Sequence, residues 1–477
     1  MIHSVDPAVL EALEGVVGPE GLSVDPADLD FYGRDRAVGP WPVRAGAVVR
    51  PATVEAVSEV VRVCEARGVG IVPSGGRTGL AGAAVAPAGE VVLSVERMRG
   101  VLAVDPVART VRCRAGTTVA EVDAAAREHG LFYPVDFAAK GTAQVGGTIA
   151  TNAGGVRVVR YGPTRAWVRG IVAVTGGGEV LELGRGLVKD NTGYALEQLF
   201  VGAEGTLGIV VEATLGLAVP PASTCVAVVG ARDVPALLTL YRRLGTVGLR
   251  ISAFECFDAG CLGAVLEARG QGTPPLATEA PIYGLVEVEA DAVAEATAVQ
   301  DALVEALCDA QEDGVVVDAT VAQTAAQARA LWSLRESVSE ALHPRRPHKS
   351  DVTIPQSNMP RFLDELGDVV ARHVPEGELR IFGHLGDGNL HVNLLPPKGG
   401  VLLEESIEAF DAELYRLVGE LGGSLSAEHG IGLLKRAYLP LRRSPVEIDL
   451  MRRIKQVFDP KGVFNPGKVF PPTDRDG

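Results

Sequence analysis

Apolar and polar positions divide the chain into three zones of different texture. From about residue 40 to 218, short strand-like runs alternate with helices. Ala47-Val-Val-Arg50 reads as a strand. Thr53 then caps a helix, because Val54, Val57, Val60, Val61 and Cys64 recur behind it at helical spacing. Val69-Gly-Ile-Val72 reads as the next strand, and this β-α-β opening predicts a mixed α/β domain. From about 219 to 425 the helical patterns lengthen, over Val293–Cys308 and Thr320–Leu342. They alternate with strand candidates Val226–Val229, Tyr283–Val288 and Arg380–Gly383, which predicts an α+β domain whose antiparallel sheet is covered by helices. From Ser426 onward come a short basic helix, Pro445–Phe458, and a turn-rich tail, Phe458-Asp-Pro-Lys-Gly-Val-Phe-Asn-Pro-Gly-Lys468. The expected organisation is a first domain over 1–218, a second over 219–425 and a C-terminal segment over 426–477.

Composition narrows the function classes. The 477 residues suffice for two or three domains, and 47% hydrophobic with 22% charged residues excludes extended disorder. A formal charge of −15 argues against nucleic acid as the main partner, because phosphate binding needs a basic face. An anionic substrate stays open, since a local arginine pocket can reverse the field at one site. The six cysteines are scattered without a C-x-x-C pair, against zinc ribbons, iron–sulfur clusters and disulfides. The amino terminus, Met1-Ile-His-Ser-Val-Asp-Pro, lacks the basic and apolar regions of a signal peptide, and no apolar run is long enough for a transmembrane helix. The expected location is cytoplasmic.

The densest chemistry lies in Phe382-Gly-His-Leu-Gly-Asp-Gly-Asn-Leu-His-Val-Asn393. Asp387-Gly388 predicts a type I′ hairpin turn, which would pair Gly386 with Asn389, Leu385 with Leu390 and His384 with His391. Directly opposed residues share a face with Cβ atoms about 5 Å apart, close enough for two imidazoles to hold one metal ion. Asn393 follows on the same face by strand alternation. Glu428 and His429, in Ser426-Ala-Glu-His-Gly430, supply a further carboxylate and imidazole in a glycine-flanked loop. The plainer alternative is that these histidines are hydrogen-bonded structural residues.

Glycine-rich loops form the second signal: Pro73-Ser-Gly-Gly-Arg-Thr-Gly-Leu-Ala-Gly82, Gly146-Gly-Thr-Ile-Ala-Thr-Asn-Ala-Gly-Gly155, and Lys189-Asp-Asn-Thr-Gly-Tyr194 leading to Gly202-Ala-Glu-Gly-Thr-Leu-Gly-Ile209. Clustered glycines let backbone N–H groups approach an anion without Cβ obstruction, so a pyrophosphate-bearing cofactor fits. The loops match neither G-x-G-x-x-G nor G-x-x-x-x-G-K-[ST]. The alternative is tight turns only.

These loops resemble the PCMH-type FAD-binding domain of the vanillyl-alcohol oxidase superfamily. Phe382–Asn393, Glu428-His429-Gly430 and Asn465-Pro-Gly-Lys468 resemble its D-2-hydroxyacid dehydrogenase branch, which includes D-lactate, D-2-hydroxyglutarate and glycolate dehydrogenases. The resemblance spans nearly the whole chain from about residue 40. It implies an α+β fold, with a FAD domain, a substrate domain over 219–425, and a 426–477 segment returning to the FAD domain. It implies that Ser74, Gly75, Gly76, Arg77, Thr78, Gly79 and Leu80, with Gly146, Gly147, Thr148, Thr151, Asn152, Gly154 and Gly155, cradle FAD. By the same resemblance, Gly205, Gly208, Ile209 and Asn465 would complete that site. His384, His391 and Glu428 would ligate a divalent metal, zinc first, with manganese or iron left open.

Arg335, Ser339, Lys349 and Asn393 would bind substrate, and His429 would be the general base. Read without the resemblance, Arg335 lies on a solvated helix face and Lys349 in a surface loop. Ser339 stands where the 2-hydroxyglutarate type often has threonine. Arg77 stands where covalently flavinylated relatives have histidine, which implies non-covalent FAD. The implied reaction is oxidation of a small D-2-hydroxy acid to the 2-oxo acid, with electron-transfer flavoprotein or a quinone as acceptor. A homodimer stays open. Alternatives are a glycolate oxidase-type subunit, a non-redox alkyl-transfer flavoprotein of the alkylglycerone-phosphate synthase type, and a flavin-binding scaffold without substrate chemistry.

Overall fold

Thr53 starts the helix Val54–Arg67 as expected, its side chain accepting from the Ala56 N–H, and Val57, Val60, Val61 and Cys64 are all buried. The following strand is displaced from the expected Val69–Val72 to Ile71–Ser74. Gly68, at φ +64°, closes the helix, and the Val69 N–H still bonds Cys64 O at 2.9 Å. Val69 is therefore occupied as a helix cap before the chain can extend.

In the computed structural model the described residues are 5–270 and 272–472. Residues 1–4, part of the terminus read above for signal-peptide features, lie outside them. The chain forms two compact units. One contains the chain up to Gly155, Gly162–Val219 and the chain from Glu428; the other contains Val156–Tyr161 and Pro220–Ala427.

Among the described residues, the first unit holds two sheets. In the four-stranded one, Val91–Ser94 lies between Ala47–Val49 and Ile71–Ser74, parallel to both, and Leu22–Ser23 adds an antiparallel edge. The five-stranded sheet is antiparallel, in the order Val101–Asp105, Thr110–Arg114, Ile209–Gly216, Val168–Val174, Val180–Leu183. A core of Val57, Val60, Val61, Ile71, Leu93, Val211 and Phe464 joins the helix Val54–Arg67 to the strands. The helix Pro445–Phe458 forms as expected, with a capping box between Ser444 and Glu447.

The second unit is built on a seven-stranded antiparallel sheet. Its order is Asp318–Val321, Ser223–Ala231, Ile282–Ala290, Arg250–Asp258, Glu378–His384, Asn389–Leu395, His348–Thr353. The expected helix Thr320–Leu342 is instead three elements. Thr320 and Val321 pair with the strand Ser223–Ala231, and a capping box of Thr324 and Gln327 starts the helix Ala325–Glu336. Val338–Leu342 follows as a short helix. Expected Val293–Cys308 becomes a 3-10 turn, Val293–Glu295, before the helix Ala296–Glu312. The excursion Val156–Tyr161 is fastened inside this unit: Arg157 Nε donates to Glu287 Oε1 at 3.0 Å and Tyr161 Oη donates to Glu289 Oε2 at 2.8 Å. Among the described residues, no helix is long and apolar enough to cross a membrane.

Candidate active site

The histidine hairpin forms in a different register from the one expected. His384 lies opposite Asn389, and His391 opposite Phe382. Gly388 takes φ +82° but Asp387 stays out of that region, so no type I′ turn forms and Leu385–Gly388 is a four-residue connection. Neighbouring strands explain the change. The Gly386 N–H donates to Phe254 O and the Ile354 N–H to Gly388 O, each at 2.9 Å, so the loop backbone is claimed from outside the hairpin. The displacement is two residues, and an even shift keeps every side chain on its face. His384 and His391 are thus diagonal neighbours, ring centroids 5.3 Å apart at 83°.

Two buried carboxylates stand behind these rings. Glu255 Oε1 lies 2.8 Å from His384 Nδ1, and Asp351 Oδ1 lies 3.3 Å from His391 Nδ1. A carboxylate at Nδ1 fixes the tautomer and makes Nε2 the nitrogen with which each ring can bind a metal. Burial pushes the His391 imidazole down to about 4 in spite of Asp351, so the ring is neutral at pH 7, the form that ligates metals. Burial opposes the charge on Glu255, but His384 and Arg335 outweigh it and hold the carboxyl below its ordinary value. Asp351 also accepts from Asn389 Nδ2 at 2.8 Å and from the Ala427 N–H at 3.1 Å. Glu428 is the next residue, one peptide bond from that anchored amide. Glu428 and His429 are both half-buried.

The solvated-face reading of Arg335 fails. The residue is 6% exposed, its Nη2 lies 2.8 Å from Glu255 Oε2, and its guanidinium covers the Phe382 ring at 4.8 Å. Among the described residues its buried Nε has no hydrogen-bond partner. Lys349 is exposed but sits on the strand His348–Thr353 rather than in a loop, and its Nζ donates to Ser339 Oγ at 3.2 Å. Lys349 is register partner to Asn393, and Asp351 to His391. The Asn393 amide turns back to donate to His391 O at 3.1 Å.

In the first unit two glycine loops meet. A Cβ on Gly75 would lie 3.7 Å from Gly147 Cα and 3.5 Å from Gln144 Oε1, whereas on Gly76 it would strike Thr142 O at 2.1 Å. Nothing lies within 4 Å of a Cβ built on Gly147. Ser74 Oγ and Gln144 Oε1 are buried there without a hydrogen-bond partner among the described residues. An open glycine face rimmed by unsatisfied polar atoms fits a phosphate-bearing group.

Gly146, Gly147, Thr148 and Thr151 lie on the helix Val145–Thr151, which Asn152 ends at φ +49°. The Thr148 and Thr151 hydroxyls bond Val145 O and Gly147 O within it. Just beyond the helix, Gly155 runs against Asp136 O, which a Cβ would meet at 2.0 Å. Gly205 packs on Pro73 and Asn465, while Lys189–Tyr194 is exposed. Arg77 takes φ +53°, its guanidinium 4.5 Å from the Phe31 and Tyr32 rings, and donates to Gly75 O at 3.2 Å. Thr78, Gly79 and Leu80 continue the loop, with Gly79 beside Asp35.

The tail closes on the same unit. Asn465 Nδ2 donates to Glu204 O at 2.6 Å, and Lys468 Nζ to Asn465 Oδ1 at 2.7 Å and Ala83 O at 2.9 Å. Burial pushes the Lys468 amine down to about 7. It pushes the Glu204 carboxyl up to about 7, against the pull of the Ile431 and Gly432 amides.

The family model for FAD linked oxidases, C-terminal domain, matches residues 220–469, and that for the FAD binding domain matches 45–184. The chain belongs to the FAD-linked oxidase family. It is 42% identical over 469 residues to a D-2-hydroxyglutarate dehydrogenase of Stutzerimonas stutzeri (strain A1501), covering 98% of this chain and 99% of the relative. It is 44% identical over 473 residues to one from Xanthomonas citri pv. viticola, covering 98% of each. Its fold is similar to that of 4-ethylphenol oxidase from Gulosibacter chungangensis, with a TM-score of 0.78 at 18% identity over 100% of this chain and 99% of that one. This FAD-linked oxidase is therefore an FAD-dependent enzyme of the D-2-hydroxyacid dehydrogenase branch, acting on a CH–OH donor, with the expected α+β fold.

Three residues of the site escaped the motif reading: Glu255, Asp351 and Glu204. The signal for Glu255 was present, since it interrupts the apolar strand run Ala253-Phe-Glu-Cys-Phe257, where a charge must be buried and paired. Asp351, in Lys349-Ser-Asp-Val352, and Glu204, between Ala203 and Gly205, have no such contrast with their neighbours.

Proposed function

We propose that this FAD-linked oxidase oxidises a D-2-hydroxy diacid of the D-2-hydroxyglutarate kind to the 2-oxo acid. In this reading a divalent metal, zinc first, is held by His384, His391 and Glu428. Bound FAD supplies a two-electron acceptor, and a bound divalent ion supplies a Lewis acid that lowers the pKa of the substrate hydroxyl. Arg335 anchors one carboxylate through its unsatisfied buried Nε. Lys349, steadied by Ser339, meets the second, and Asn393 orients the acid. His429 takes the hydroxyl proton, a role suited to an imidazole near neutral pH. The Gly75 and Gly147 loops with Ser74 hold FAD, without a covalent bond because Arg77 offers no nucleophile. Electron-transfer flavoprotein or a quinone takes the electrons.

Lys349 is the observation that carries the diacid: a cation on the same strand as Asp351, with no carboxylate partner among the described residues. The names of the two bacterial relatives support the same choice. Anaerobic flavin bleaching with D-2-hydroxyglutarate, its L isomer, D-lactate and glycolate tests it. The D diacid should win by about tenfold or more, the value of one charge-assisted hydrogen bond. Faster bleaching by a monoacid overturns the diacid reading. Acid precipitation of the same protein should leave the flavin in the supernatant; flavin retained on the polypeptide would contradict non-covalent binding.

A further inference from the structure

Glu204 lies in the glycine-rich segment Gly202–Ile209 but is not among the residues assigned to the FAD cradle above. It is 5% exposed and held in the left-handed region at φ +52°. Its own backbone is fixed on both sides: its N–H donates to Ala150 O at 2.8 Å, within the helix Val145–Thr151, and its carbonyl accepts from Asn465 Nδ2. Its carboxylate reaches the loop that follows His429. Oε1 accepts from the Ile431 N–H at 2.7 Å and Oε2 from the Gly432 N–H at 2.8 Å.

The fit is close. Gly430 and Gly432 take φ +85° and +50°, and a Cβ on Gly430 would meet the Glu204 carboxyl carbon at 2.7 Å. Gly432 is pinned from its other side, where a Cβ would strike Ala81 O at 2.1 Å. Lys435 and Lys468 draw the carboxyl back down against the burial that raises it. Two hydrogen bonds from successive amides to one carboxyl group hold the loop in one orientation, and they are about twice as strong when that group is ionised.

We infer that Glu204 is a positioning residue for His429, holding the base's loop to the helix and tail that border the FAD site. The inference rests on the reading of His429 as general base, and the test separates the two. Glu204→Gln keeps the size but replaces one acceptor by a donor facing an N–H. In the FAD-loaded enzyme it should retain full flavin and bind substrate within about twofold. It should reduce flavin about tenfold to a hundredfold more slowly, as misplacement by an ångström does.

Hydrogen exchange at the Ile431 and Gly432 amides should accelerate while the rest of the unit keeps its protection. In a His429→Asn background the added substitution should cost nothing further in reduction rate. Glu204→Asp, which keeps the charge one methylene short, should fall between Gln and the parent and covers the case of a poorly folding Gln variant. Unchanged exchange at both amides, or a Glu204 loss fully additive to that of His429→Asn, overturns the proposal. Normal flavin reduction in His429→Asn alone would remove the base assignment, and the exchange measurement would still decide whether Glu204 holds the loop.

Discussion

A single imidazole shows how much of the site depends on side chains set two deep. His391 meets Asp351 through Nδ1, and Asp351 at the same time holds the amide that precedes Glu428. In the metal reading proposed above, removing the ring would take away a ligand but leave Asp351 its bonds to Asn389 and Ala427, so the fold should survive His391→Ala. The variant should lose its metal by elemental analysis and keep its FAD absorbance, because the glycine loops lie in the other compact unit. Turnover should fall by at least about a hundredfold, the upper end of what changes behind the ligands already cost. A variant that keeps stoichiometric metal and parental turnover would return these histidines to the structural role weighed at the outset.

At the scale of elements, the helices Met359–His373 and Glu404–Glu420 are joined by a polar contact whose pH dependence has a definite sign. Hydrogen bonds from Arg372 and then His373 hold the Glu413 carboxyl down to about 2, below its ordinary 4.5. A depressed carboxylate contributes stability that is fully present above about 4.5 and is lost as pH falls through the folded value. Glu413→Gln should lower the melting temperature by about 1–3 °C at pH 6, a small gap because solvent screens the pair. The gap should close as pH falls toward 2; a constant gap from pH 2 to 6 would rule out the linkage.

The same scale explains what the sequence discloses. The shared face of His384 and His391 was legible because it depends only on strand parity. Their pairing was not, because the competing bond from Gly386 to Phe254 comes from a strand more than a hundred residues away. Capping chemistry is local, so the helix Pro445–Phe458 was read to the residue. The break at Thr320–Leu342 hinged on a distant strand recruiting Thr320 and Val321.

Across the whole molecule, long-range passages of the chain leave the weakest trace. No change of period marks Val156–Tyr161 as it leaves the glycine-loop unit for the other sheet. Its fastening acids, Glu287 and Glu289, lie some 130 residues downstream. The electron path, in contrast, is bounded by composition. All six cysteines are free, four of them buried, and none has cluster spacing. The glycine loops also lack the G-x-G-x-x-G dinucleotide fingerprint. Electrons taken from the acid should therefore pass to a separate carrier. We expect substrate-dependent reduction of dichlorophenolindophenol at a rate close to that of flavin reduction. Hydrogen peroxide should form slowly in air, and NAD and NADP should stay oxidised. Measured in one buffer, peroxide release as fast as dye reduction would make the enzyme an oxidase and remove the need for a carrier. Reduction of NAD would instead require a nicotinamide site that these motifs do not contain.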